Sequence, residues 1–94
     1  MKRFSNDDKG YRAWLADHPD GFVLNVRSVP NPEYVVLHRA GCGSISSEVQ
    51  APAAFTGRAY RKICATTVAE LKLAAKTEGR RDGTFSKRCG ICKP

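Results

Sequence analysis

The stretch Tyr34-Val35-Val36-Leu37-His38-Arg39-Ala40-Gly41-Cys42 carries two signals. Its first part is apolar and β-branched, which suits a buried strand. Its second part sets His38 and Cys42 at the end of that strand and in the turn after it, with three residues between them. A matching pair closes the sequence in Cys89-Gly90-Ile91-Cys92-Lys93-Pro94. Structural zinc sites draw four tetrahedral thiolate and imidazole ligands as two close pairs separated by a structured segment, so the spacing predicts one Zn²⁺ held by His38, Cys42, Cys89 and Cys92. Three thiolates would bring such a site to a net charge near −1. Glycines beside Cys42 and between the last two cysteines allow the tight turns that two ligands on one ion require.

Working outward, the length of 94 residues predicts one domain with a modest core, for which a staple is expected. Four cysteines can supply disulfides or metal ligands, and the two-residue spacing of Cys89 and Cys92 favours chelation. The opening Met1-Lys2-Arg3-Phe4-Ser5-Asn6-Asp7-Asp8 lacks the apolar segment of a signal peptide, and no apolar run approaches the about 18 residues of a membrane span. A cytoplasmic location without membrane contact is therefore expected.

Asp7 and Asp8 suit a helix start, and Tyr11, Trp14 and Leu15 recur at helical spacing until Pro19 interrupts. Phe22–Arg27 and Tyr34–Arg39 read as a hairpin, Gly41–Gly57 as a long irregular loop and a candidate ligand contact, and Tyr60–Ala65 as a third strand placing Tyr60, Lys62 and Cys64 on one side. Thr67 and Glu70 form a capping box for a second helix, with Val68, Leu71 and Ala75 on its buried stripe and Gly79 as its stop. The expected fold is α+β: a short antiparallel sheet of about three strands, two helices and a zinc staple.

Two residues compete for ligand positions. Cys64 reads as a buried free cysteine on a strand; otherwise it replaces His38, giving an all-cysteine site, or replaces Cys42. His18, beside a proline at a helix end, reads as a surface cap. The second helix's N-terminus at Thr67 is a secondary candidate for binding a phosphate, although the capping box already uses some of its donors.

The formal charge is +7 and the pI about 9.6, which points to a polyanionic partner. The cations Arg58, Arg61, Lys62, Arg80, Arg81, Lys87, Arg88 and Lys93 all follow residue 57, whereas five of the nine acids lie in the first 33 residues. These cations are the candidates for gripping DNA phosphates, with Tyr60 or Phe85 for base stacking. The alternative reading is a zinc-stapled protein-interaction module whose basic half meets an acidic protein. A zinc enzyme needs an open coordination position and a general base. Four strong ligands leave no such position, and neither ligand pair encloses a carboxylate, so a non-catalytic module is expected.

The order strand, His38-x-x-x-Cys42, loop, strand, helix with Glu70 and Ala74-Ala75, then Cys89-Gly90-Ile91-Cys92-Lys93-Pro94 resembles the Ada-type metal-binding domain, including the version appended to bacterial nucleases. The resemblance covers residues 34–94 and leaves 1–33 as an N-terminal addition of helix and strand. It implies zinc on the same four ligands in a small fold that binds DNA. In repair members of that family a zinc thiolate at the first ligand position accepts a methyl group from DNA. Here that position is His38, whose metal-bound imidazole has no lone pair to accept a methyl, so the resemblance implies a reader or targeting domain. Trp14-Leu15, Asp20-Gly21-Phe22-Val23-Leu24-Asn25 and Leu37-His38-Arg39-Ala40 are similar to small actinobacterial domains associated with restriction-type endonucleases. That similarity implies a nuclease domain or subunit as a further partner in restriction-modification or defence. A monomer is the default expectation.

Overall fold

The computed structural model describes residues 1–45, 55–57 and 59–94. Its elements run β1 (Lys2–Phe4), α1 (Asp8–Asp17), β2 (Phe22–Arg27), β3 (Val35–Arg39), a single 3₁₀ turn (Gly43–Ile45), β4 (Tyr60–Ala65), α2 (Val68–Thr77) and β5 (Lys87–Arg88). The strands form one sheet in the order β1-β4-β2-β3-β5. Its pairings are antiparallel except for β3 with β5, which is parallel. The α+β class is as expected, with the sheet larger than three strands and mixed. The two additional strands are short edges of three and two residues, too brief to show a period of two, and their pairing is imposed by β4 and β3. β2 occupies the middle of the sheet between β4 and β3, so the N-terminal 33 residues supply a central strand as well as an edge.

Alternation along the strands separates two faces. On one, Leu24, Val26, Val35, Leu37, Ile63 and Ala65 pack with Leu71, Ala74 and Ala75 of α2 into a continuous apolar cluster. Thr67 caps α2 by accepting the Glu70 N–H at 3.3 Å. Gly79 ends the helix region with φ +100°, and a side chain there would crowd Pro32. Burying Leu71 fully contributes about 1.5–3 kcal/mol.

The other face holds α1. Asp7 caps it by accepting the Gly10 N–H at 2.9 Å, and Tyr11 and Trp14 point into a cluster with Val23, Ala40, Cys42, Ile45, Phe55, Cys64 and Cys89. At Gly21 a Cβ would lie 2.6 Å from the Trp14 ring, so only glycine lets the chain turn under the indole into β2. Of the expected irregular loop Gly41–Gly57, residues 41–45 and 55–57 are described and 46–54 lie outside the described residues. Its returning end is clamped to the start of α1: Asp8 accepts from the N–H groups of Phe55 and Thr56 and from the Thr56 hydroxyl.

Candidate metal centre

The ligand cluster is assembled by the β3–β5 edge. His38 lies on β3 opposite Val23 of β2. The chain then turns: Ala40 N–H donates to the Gly21 carbonyl, and Cys42 N–H to that of Arg39 at 3.0 Å. Cys42 is thereby brought back under the strand end. On the neighbouring strand, Cys89 N–H donates to the Leu37 carbonyl at 2.9 Å, continuing the parallel ladder and setting Cys89 beside His38. A bond from Lys93 N–H to the Cys89 carbonyl at 3.0 Å closes the turn that returns Cys92.

The potential ligand atoms of His38, Cys42, Cys89 and Cys92 all lie within 4.8 Å of one another, and three of the four residues are buried. Cys42 and Cys89 sulfurs stand 3.9 Å apart, far beyond the about 2.05 Å of a disulfide. Two thiolates on one tetrahedral ion at about 2.3 Å stand about 3.8 Å apart. Among the described residues the one buried side-chain nitrogen or oxygen without a hydrogen-bond partner is His38 Nδ1. A buried imidazole with an unpartnered nitrogen, grouped with three thiols, is what a metal ion completes, and the residues fit such an ion.

Two of the four residues, His38 and Cys89, are set for ligation by their protonation. Burial, then the charges of Lys62 and Lys87, lower His38 to about 4, which keeps the imidazole neutral and able to ligate. Hydrogen bonds from the backbone N–H of Cys92, then of Ile91, bring the Cys89 thiol down to about 7. Burial first, and then the neighbouring thiols, hold Cys92 up at about 11. The sulfurs are also supported by groups outside the ligand set: Arg39 N–H donates to Cys92 Sγ at 3.2 Å, and the Ser44 hydroxyl lies 3.0 Å from Cys42 Sγ. The Arg39 guanidinium then grips the carbonyls of Cys92 and Lys93 at 3.0 and 3.1 Å. Sequence reasoning missed Arg39 and Ser44. Their only signal was position, one residue after His38 and two after Cys42.

Cys64 stands outside this cluster, fully buried on β4. Burial pushes its thiol to about 12, as befits a packed, inert side chain. His18 caps α1 with its ring stacked on Trp14 at 4.3 Å and Nδ1 3.0 Å from the Trp14 carbonyl. At the start of α2, the Glu70 carboxylate lies within hydrogen-bonding reach of the Thr66 and Thr67 hydroxyls and 3.5 Å from the terminal amine. A carboxylate thus occupies the place considered for a phosphate.

The candidate phosphate ligands divide sharply. Lys62 is 3% exposed, donating to Asn25 Oδ1 at 2.8 Å and the Phe55 carbonyl at 2.6 Å among the rings of Tyr11, Phe55 and Tyr60. Arg61 is paired with the buried Glu78 and also donates to the Arg27 carbonyl. Arg80 braces the carbonyls of Pro32, Thr84 and Phe85. These three are engaged internally, which a linear count of charges does not reveal. Arg81, Lys87, Arg88 and Lys93 are exposed, and Arg88 also lies over Phe85 and donates to the Pro94 carbonyl. Tyr60 is half-buried beside Tyr34 under Arg27, and Arg58 lies outside the described residues.

Among the described residues no helix is long and apolar enough to cross a membrane. Compared with family models, curated proteins and solved structures, the chain matches none.

Proposed function

We propose that this chain is a zinc-stapled, non-catalytic DNA-binding module, serving as the reader or targeting part of a nuclease or defence protein in the cytoplasm. One observation carries the reading: the segment Lys87–Pro94 supplies two of the four metal ligands and presents Lys87, Arg88 and Lys93 to solvent beside them. A metal that orders this segment orders a cationic surface with it. Zinc is favoured by the three-thiolate, one-imidazole donor set and by tetrahedral spacing. Four such ligands leave no position for an activated water, which supports a binding role. Three cysteines gathered with a histidine as candidate metal ligands, in place of disulfide partners, accord with a reducing compartment. The Ada-type resemblance adds DNA as the polyanion through its ligand order alone.

The test is duplex binding by the zinc-loaded chain across salt concentration. If Arg81, Lys87, Arg88 and Lys93 each neutralise one phosphate, log Kd changes by about 3–4 per tenfold change in salt, and Lys87→Ala reduces that slope by about 1. Absence of duplex binding at low salt, or affinity indifferent to salt, overturns the reading. Capture of an acidic protein by a chain that ignores DNA would establish the interaction module in its place.

A further inference from the structure

The metal-bearing face of the sheet is open along part of its length. Between the 3₁₀ turn and the segment from β5 to Cys92 lies a cleft of about 400 Å³ that ends at the ligand cluster. Asn25, Tyr34 and Val36 line it from the sheet side, Ile45 from the turn, and Lys87 and Ile91 from the C-terminal segment. Its size suits a small ligand or a single nucleotide, and no duplex could enter it.

The chemistry of the lining narrows the occupant. The Tyr34 ring is held in place by Tyr60, centroids 5.7 Å apart, and by Arg27 above it at 5.4 Å. Val36 and Ile45 are apolar. Asn25 is oriented from behind: its Oδ1 accepts from the buried Lys62 ammonium, which leaves its amide nitrogen to donate to the Tyr34 hydroxyl at 3.2 Å. That nitrogen carries a second N–H. At the rim Lys87 is exposed, and Ile91, at 76% exposure, is among the most exposed large apolar side chains described. A flat ring, apolar walls, a fixed amide donor and a cation at the mouth together match a planar heterocycle with acceptor atoms on its edge and a phosphate attached.

We infer that this cleft receives one nucleobase displaced from a DNA strand, its ring against Tyr34 and Val36 and its edge on the Asn25 amide. Lys87 meets the adjoining phosphate, and Ile91 fills the gap left in the base stack. The inference rests on the DNA-binding reading and deepens it. Unstacking a base opposes binding and costs least where the base is already unpaired. Stacking on an aromatic side chain favours binding with little regard to sequence. A duplex with one unpaired base is therefore the better ligand.

Fluorescence anisotropy of the zinc-loaded full chain, with a duplex bearing a single bulged base and with its fully paired counterpart, tests this. The bulged duplex is expected to bind about tenfold tighter or more. Tyr34→Ala and Ile91→Ala should each shrink that preference toward unity by weakening the bulged duplex more than the paired one, whereas Tyr34→Phe, which keeps the ring, retains it. Bound-zinc content verifies the variants, and Ile91→Ala alters an exposed residue should Tyr34→Ala fail to fold. Salt-dependent binding with no preference for the bulge overturns the cleft inference and leaves the DNA reading intact. A preference undiminished in both alanine variants places the base elsewhere and also overturns the inference. Failure to bind either duplex removes the DNA reading and this inference together.

Discussion

The two faces of the sheet are held by different physics. Under α2 the contacts are aliphatic, from Leu24 and Leu37 to Leu71 and Ala75, and the stabilisation follows from apolar area withdrawn from water. Under α1 the same sheet buries His38 and Lys62 among thiols and aromatic rings, groups that each require a specific partner once removed from water. The first face can fold on pattern alone. The second carries a buried imidazole nitrogen without a partner and a cluster that an ion would complete, and its Lys62 depends on oxygen acceptors, so it is also the face on which a ligand-dependent property can be built.

The comparison breaks most visibly on metal removal. Structural zinc contributes about 10–16 kcal/mol of apparent binding energy in small zinc-dependent domains. A strong chelator, or Cys89→Ser, is therefore expected to lower the unfolding temperature by about 20 °C or more and to disorder the α1 face first. Calorimetry together with hydrogen exchange measures both. An unfolding temperature indifferent to chelation would show that the second face, like the first, holds itself together.

A smaller effect should come from the opposite side. Leu71→Ala removes a fully buried side chain and is expected to cost about 2–5 kcal/mol while metal stoichiometry stays at one ion per chain. Denaturant titration beside metal analysis checks it; loss of the ion along with stability would mean that the faces are coupled through the sheet.

The smallest effect sharpens the contrast through pH. Burial lowers Lys62 from 10.5 to about 8, against the opposing influence of Asp8 and Cys64. The unfolded chain therefore holds more protons between those values, and stability of the metal-loaded protein rises as pH increases from about 8 to 10.5, by roughly 3 kcal/mol at most. The same increment is lost as pH falls back through the folded-state value, and below about 8 this residue adds no slope. Lys62→Met should flatten the profile, read from denaturant midpoints across that range. An unchanged slope in the variant would assign it to other groups.

Much of this arrangement was legible in the sequence, for physical reasons. The apolar run in Phe22–Arg27, the alternation of Tyr60–Ala65 and the capping box at Thr67 are local signals, and local geometry decides them. The ligand pairs were legible because chelation demands close spacing within each pair. β1 and β5 were not, because strands of two or three residues have no period of their own and exist only through their neighbours. The internal engagement of Lys62 and Arg61 was not legible, since a cation in a linear sequence looks solvated by default. The clue lay in Lys62 sharing a strand face with Cys64, a residue already read as buried. Asn25 and Tyr34 carried no signal for the cleft, which forms only when the 3₁₀ turn and the C-terminal segment come to flank the sheet.

The short edges themselves have a consequence for behaviour in concentrated solution. β1 brings Lys2 and Arg3 to one margin of the sheet and β5 brings Lys87 and Arg88 to the other, all four exposed. A sheet margin is a template on which a second chain can extend the ladder, and cations placed there oppose such growth. Two copies approaching margin to margin meet positive charge on positive charge in either orientation, so the cations on these short edges oppose lengthening of the sheet into its neighbours.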